Sequence, residues 1–220
     1  MNNRCASCRL VNFPGSAVCG RCGASLSSSR PISTDKVAAP SRLLPRIGIC
    51  ALVLFSLLLG FYLSLIGSAG SLSIEQKYVV RQAIAVLKER GFDDEVRLLN
   101  TLTVYRSTDN WLNASVAKES AYAATNFPFE IMTLYSDFFA YPQDDVERAA
   151  ILLHESRHLA GADEHDAYEF VWKNREQLGW TRESYGNSPV WQNVRRQTRD
   201  NVPEIFVCDG NDFGDCTQPR

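Results

Sequence analysis

The chain has 220 residues, with 23 Lys and Arg against 25 Asp and Glu, a formal net charge of −2 and 45% hydrophobic residues. This length holds one large domain or a small domain beside a medium one, and the near-neutral balance speaks against a nucleic-acid-binding protein as a whole. The average conceals regions of different character, which divide the chain into residues 1–24, 25–46, 47–69 and 70–220.

Residues 5–26 read CASCRLVNFPGSAVCGRCGASL: a CxxC pair, ten intervening residues and a second CxxC pair. Each CxxC forms a tight knuckle that aims two thiolates at one point, and two knuckles supply the tetrahedral all-sulfur set that Zn2+ favours. Gly20 and Gly23 suit a tight second knuckle, and Asn12-Phe13-Pro14-Gly15 is turn-forming. So short a segment buries no core of its own, so its folding is expected to depend on a structural zinc held by Cys5, Cys8, Cys19 and Cys22. The stretch resembles the short zinc ribbons at the N-termini of many bacterial membrane proteins. Its spacing is also similar to that of the Ran-binding-protein class of zinc finger, without the tryptophan expected ahead of the first cysteine. Either resemblance implies a module that contacts a protein partner, here a cytoplasmic one, or serves structure; Arg4, Arg9 and Arg21 make a weak patch for nucleic acid. Residues 25–46 are Ser/Pro-rich with little periodicity and read as a flexible linker.

Ile47 to Ile66, IGICALVLFSLLLGFYLSLI, carries no charge. Twenty residues at helical rise span about 30 Å, the thickness of a bilayer's hydrocarbon core. More than forty residues precede the run, unlike a cleaved signal peptide. A single membrane-spanning helix is therefore expected within 47–69. Arg30, Lys36, Arg42 and Arg46 precede it and the first basic residue after it is Lys77, so the positive-inside rule puts the N-terminus in the cytoplasm and residues 70–220 in the periplasm or outside the cell. Cysteine usage agrees. The four paired cysteines fall on the reducing side, while Cys208 and Cys216, on the exported side, are expected to close CDGNDFGDC as a disulfide.

The exported region begins with IEQKYVVRQAIAVLKERG, apolar at helical spacing and stopped at Gly91. A strand is expected near Leu102 to Tyr105, and another in FEIMTLYSDFF, 129–139, rich in β-branched and aromatic residues. The part of the latter near 129–136, which precedes the histidine-bearing helix, is expected to align an extended peptide by edge pairing. Asp144 as N-cap with Glu147 three residues on resembles a capping box, and Gly161 supplies a stop, giving a helix from about Asp145 to Ala160. A further helix starts near Asp163. Asn113-Ala-Ser115 reads as a surface sequon, the acidic residues of 209–215 as a solvated loop, and Trp172, Trp180 and Trp191 as core.

All three histidines of the chain fall in ILLHESRHLAGADEHDAYEF, 151–170. His154 and His158 stand at i and i+4, so their side chains leave one helix face a turn apart, the separation at which two imidazoles bind one zinc. Glu155 follows the first ligand, beside the metal, placed to take a proton from an attacking water. Glu164, His165 and Asp166 are candidates for a third ligand. Tyr168 and Tyr185 are candidate oxyanion donors, although a tyrosine beside a helix more often serves the core.

His154-Glu-Ser-Arg-His158 with Gly161 and Glu164 reads HExxHxxGxxE and resembles the zincin metallopeptidases. In the similar metzincin pattern the third ligand lies six residues after the second histidine, a position that Glu164 holds. In gluzincins it is a glutamate on a following helix, which Glu164-His-Asp-Ala-Tyr168 resembles. Both comparisons imply Glu164 as the third ligand, with His165 as the alternative. Two features depart from the pattern: Arg157 stands between Glu155 and His158, and no Met-turn follows. The resemblance implies an α+β, helix-rich zincin-like domain with a small sheet, and a zinc-dependent peptidase acting on a peptide or protein substrate. The rival expectation is a non-catalytic membrane adaptor or sensor, whose zincin-like domain is degenerate and binds a ligand.

Overall fold

In the computed structural model, residues 3–26, 43–115, 122–208 and 214–218 are described, and the chain forms two compact units, Met1–Leu52 and Val53–Arg220. Most of the expected linker, residues 27–42, lies outside the described residues.

In the first unit β1 (Asn3–Arg4) pairs antiparallel with β2 (Val11–Asn12). The two knuckles repeat one hydrogen-bond pattern. Arg9 N–H donates to the Cys5 carbonyl and Gly23 N–H to the Cys19 carbonyl, both at 2.9 Å. Both turns end in left-handed backbone, with φ 59° at Arg9 and 67° at Gly23. Glycine adopts that conformation freely, whereas arginine does so at a cost of about 1 kcal/mol. Cys5 and Cys19 are buried while Val11 and Phe13 are exposed, so the unit has cysteine sulfur where a larger domain would have an apolar core.

α1 (Leu43–Ser68) is a single helix of 26 residues, long and apolar enough to cross a membrane. Its large apolar side chains are exposed up to Leu59, whereas Leu65 is fully buried. Beyond it the chain latches to the sheet without slack. The Gly70 carbonyl accepts from Ser107 N–H at 2.9 Å, Gly70 N–H donates to Thr108 Oγ1 at 2.7 Å, and Ser71 bridges Arg106.

α2 (Ile74–Glu89) starts at a capping box between Ser73 and Gln76 and buries Val80, Ala83, Ile84 and Leu87, one stripe at helical spacing. Gly91, with φ 82°, turns the chain into α3 (Asp93–Thr101). Only then comes β3 (Val104–Arg106), shorter and later than expected. β3 lies parallel to β5 (Ile131–Leu134), which pairs antiparallel with β4 (Ala123–Asn126), giving the order β3-β5-β4.

The strand expected over 129–139 is therefore corrected. Its extended part stops at Leu134, and 136–140 form α4 (Ser136–Ala140), in which Phe138 is fully buried. All four β5 residues are buried, as befits a central strand. β5 has no free edge and so cannot provide the edge pairing expected of it; β3 and β4 are the outer strands.

α5 (Asp145–Leu159) is capped by Asp144, whose carboxylate accepts from Val146 and Glu147 N–H. Glu147 does not complete a capping box. It is fully buried and accepts from Gln143 N–H at 2.9 Å, from Trp180 Nε1–H at 3.3 Å and from the Ser188 hydroxyl. α5 packs against α2, α3, α6 (Glu164–Leu178) and β4. Leu152 and Leu153 are fully buried within it, each contributing about 2 kcal/mol of apolar transfer. α7 (Arg182–Tyr185) leads to α8 (Pro189–Asn201), which packs on α6. Between them Trp180 and Trp191 meet edge to face at 4.8 Å, with Trp172 tilted 5.1 Å from Trp191.

The surface position expected of Asn113 is also corrected. The half-buried Asn113 pairs its amide reciprocally with that of Asn126. Of the acidic loop expected over 209–215, residues 209–213 lie outside the described residues and Asp215 alone departs from the expectation of a solvated position. Asp215 is buried and accepts from Arg175 Nη2 and Trp172 Nε1, each at 3.0 Å.

Candidate metal centres

The four cysteines of the first unit converge. Cys5 and Cys22 sulfurs lie 3.6 Å apart and Cys8 and Cys19 sulfurs 3.5 Å apart, and all four come within 4.8 Å of one another. A tetrahedron with 2.3 Å metal–sulfur bonds has edges of about 3.8 Å, so small adjustments seat a zinc ion. Backbone N–H groups of Arg21 and Cys22 pull the Cys19 thiol down to about 6. A hydrogen bond from Ala24 favours the Cys22 thiolate, but the crowded Cys8 and Cys5 sulfurs outweigh it and push that thiol up to about 12. Four sulfurs packed this closely share the charge comfortably only around a cation. Asn12 supports the second knuckle, accepting from Gly20 N–H at 3.0 Å and reaching Cys19 Sγ at 3.7 Å.

The second centre forms where α5 ends and α6 begins. Gly161, with φ 85°, closes α5 in a Schellman turn: Gly161 N–H donates to the His158 carbonyl and Ala162 N–H to that of Arg157, both at 2.9 Å. That turn carries the Ala162 carbonyl to 3.0 Å from His158 Nδ1. Donation there leaves the Nε2 lone pair facing inward. Asp163 caps α6 by accepting from Asp166 N–H at 3.0 Å, which puts Glu164 on its first turn, where the helix dipole favours a carboxylate.

Three candidate ligand side chains then converge, Glu164 meeting His154 through Oε2 and His158 through Oε1. His154 Nε2 and His158 Nε2 are 3.1 Å apart, and the Glu164 carboxylate oxygens lie 3.3 Å from His154 and 3.5 Å from His158. Tetrahedral zinc with bonds of 2.0–2.1 Å requires ligand separations of about 3.3 Å, close to the separations found here, and one ligand atom from each residue lies within 4.8 Å of the others. Hydrogen bonds from His154 and His158 hold the Glu164 carboxyl well below the usual carboxylate range. Burial pulls the His158 imidazole down, but contact with Glu164 and the Ala162 carbonyl, with the Glu155 charge nearby, raises it to about 9. In both centres the residues can hold metal ions.

No family model matches the chain, and no curated protein or solved structure matches it significantly. The chemistry of the site therefore rests on its own geometry.

Glu155 is buried, and its Oε2 accepts from Thr125 Oγ1 on β4 at 2.7 Å. With His154, Glu164 and Tyr168 it lines a cavity of about 380 Å³ whose other walls include Ile151 and Val194. The Tyr168 ring tilts against His154 with centroids 4.3 Å apart, and its hydroxyl donates to Gln197 Oε1. Among the described residues His154 Nδ1 is buried without a hydrogen-bond partner, so packing against Tyr168 orients that ring.

The remaining candidates lie elsewhere. His165 faces Glu204 at 2.8 Å and Asp166 at 3.4 Å and is grouped with Asp163 and Asp166, apart from the other two histidines. Tyr185 donates to Asp144 at 2.7 Å, at the opposite end of α5. Arg157 turns away from the ligands: it stacks over Phe170 at 4.4 Å and reaches Glu95 at 3.6 Å. Cys208 and Cys216 are neighbours, and a hydrogen bond with the Cys216 side chain raises the Cys208 thiol above its ordinary range. Sequence reasoning missed Thr125 and Gln197, and only their place in the fold marks them.

Proposed function

We propose that this protein is a membrane-anchored, zinc-dependent peptidase with a zincin-like exported domain. The observation that carries the reading is the convergence of His154, His158 and Glu164 beside a buried Glu155. Three protein ligands leave one of zinc's four positions for water or substrate, the pattern of catalytic rather than structural zinc. Bound there, the metal supplies Lewis acidity toward water and a substrate carbonyl. Glu155 takes the proton from the attacking water and delivers it to the leaving amine. Thr125 fixes the Glu155 carboxylate, and Tyr168 holds the His154 ring. The other edge of β4 pairs with no strand among the described residues, which suits main-chain pairing with an extended peptide beside the cavity.

In this reading α1 spans the membrane with the four-cysteine ribbon in the cytoplasm, where it binds structural zinc and a protein partner. Residues 70–220 face the periplasm or exterior, and Cys208 and Cys216 pair as a disulfide there. The test uses the full chain in detergent, with metal analysis and digestion of a quenched-fluorescent peptide library. Glu155→Gln is expected to retain two zinc ions per chain and to lose hydrolysis. One zinc per wild-type chain, or hydrolysis undiminished by the substitution, refutes the proposal; two zinc ions without any hydrolysis favour an adaptor.

A further inference from the structure

The exported domain does not hang free of α1. Phe61, Ser64, Leu65 and Ser68 form one face of that helix, at i, i+3, i+4 and i+7. Phe61 meets Trp111 edge-on at 5.7 Å and Phe129 at 5.5 Å. Trp111 donates through Nε1 to Ser64 Oγ and through its backbone N–H to Ser68 Oγ, both at 3.3 Å. Yet the apolar run continues to Ile66, and Leu63, off this face, is 55% exposed. Twenty apolar residues from Ile47 fill a hydrocarbon core of about 30 Å, ending near Ile66. Phe61 then sits about 8 Å inside that limit, and the rings of Trp111 and Phe129, centred 5.7 and 5.5 Å from it, are within reach of the boundary. The domain's end must therefore dip into the interfacial layer, where aromatic side chains with one wet end are favoured.

That end is apolar. Trp111 is 50%, Leu102 57% and Phe127 60% exposed; Leu102 lies beside β3, and Phe127 begins the turn joining β4 to β5. The same turn adjoins the metal centre: a Cβ built on Gly161 would meet the Phe127 ring at 3.7 Å, and Gly161 stands midway between His158 and Glu164 in sequence. β4 runs from the cavity, which Ala123 lines, to this tip at Asn126.

We infer that the tip formed by Phe127, Phe129 and Trp111 is seated in the membrane interface, so that the metal centre works at the bilayer surface and its substrate is a polypeptide segment adjoining a membrane anchor. A chain leaving the bilayer beside the tip can run along the free edge of β4 directly into the cavity. The substrate class rests on the peptidase reading; the seating does not.

The test reconstitutes the full chain in vesicles of phosphatidylcholine and phosphatidylglycerol containing lipids brominated at shallow or deep acyl positions. Trp172, Trp180 and Trp191 are buried, so Trp111 is the tryptophan open to quenching. Shallow bromines are expected to quench it more than deep ones, and Trp111→Phe to abolish the effect. Phe127→Trp in that background should restore it. In parallel, a randomised peptide segment is presented directly after a transmembrane anchor, after a long hydrophilic spacer, or in solution. Quenching with cleavage confined to the segment next to the anchor is the expected result. Absence of quenching, or cleavage of spaced and soluble segments as readily as anchored ones, overturns the inference and leaves the peptidase reading standing. Quenching with no cleavage of any segment overturns the peptidase reading and the substrate assignment with it, while the seating stands.

Discussion

Thr125 Oγ1 donates to Glu155 Oε2 across 2.7 Å, joining the edge strand of the sheet to the buried carboxylate beside the metal ligands. A hydrogen bond to a charged group contributes about 1.5–3 kcal/mol, and each 1.4 kcal/mol or so of barrier is about tenfold in rate. For the proposed peptidase, Thr125→Val is therefore expected to lower kcat about tenfold or more while KM and zinc content stay near wild type, and Thr125→Ser to recover most of the loss. A change in KM alone would show that Thr125 contacts substrate instead of holding the base.

Metal stoichiometry separates the ligand candidates. The full chain should carry two zinc ions; His154→Ala or His158→Ala should leave one, since a lone nitrogen–carboxylate pair does not retain zinc against a chelator. His165→Ala should leave two, because His165 is engaged with Glu204 and Asp166. Elemental analysis after dialysis decides, and loss of a zinc in His165→Ala would transfer the third-ligand role away from Glu164.

Much of the centre was legible because its determinants are local. The i, i+4 histidines, the Asp144 cap, the Gly161 stop and the Asp163 restart all lie within about six turns of helix, and each acts through backbone geometry that a few residues specify. The sheet was not legible to the same degree. β4 is Ala-Ala-Thr-Asn, too short and too weakly apolar to show a period of two, so Thr125 could not be placed. α3 buries only Val96 and Leu99, and its one helical signal was the acidic first turn Asp93-Asp94-Glu95. Glu147 has capping-box spacing, but Trp180 and Ser188 claim its carboxylate from 33 and 41 residues away, and no local pattern foretells that.

Arg157 sits between Glu155 and His158 in sequence yet stacks on Phe170 and pairs with Glu95. Its role is packing between α3, α5 and α6. Arg157→Ala should keep both zinc ions and leave kcat within a factor of two or so, while lowering stability by about 1 kcal/mol. Denaturant unfolding with a parallel rate measurement checks both; a large loss of activity in a stable, zinc-loaded variant would place the guanidinium at the substrate.

The Arg175–Asp215 pair is buried on both sides at 3.0 Å, with Trp172 Nε1 donating to the same carboxylate oxygen. Removing one partner strands the other charge, at a cost of about 3–5 kcal/mol, which for a domain of this size lowers Tm by about 10 °C. Asp215→Ala should show that drop with the zinc content unchanged. A replacement of both residues by apolar side chains should recover much of it, which a mere volume effect at Asp215 would not.

Gly161 links backbone conformation to the orientation of a candidate zinc ligand. Its φ of 85° is costly for any residue with a Cβ, by about 1–2 kcal/mol, although the nearest atom a Cβ would meet, on Phe127, lies at an ordinary 3.7 Å. Gly161→Ala therefore strains the turn without a clash, and the strain falls on the carbonyl of Ala162 that holds His158 Nδ1 at 3.0 Å. Loss of such an outer hydrogen bond weakens zinc binding about 10–100-fold. The control is Gly91, whose φ of 82° and open surroundings match but which ends α2, away from the ligands. Both alanine variants should lose similar stability, and only Gly161→Ala should lose zinc from the histidine centre in a chelator titration, with the four-cysteine centre unaffected in either. Equal zinc affinity in the two variants would mean that His158 keeps its orientation without the turn, and that α5 alone positions the ligand.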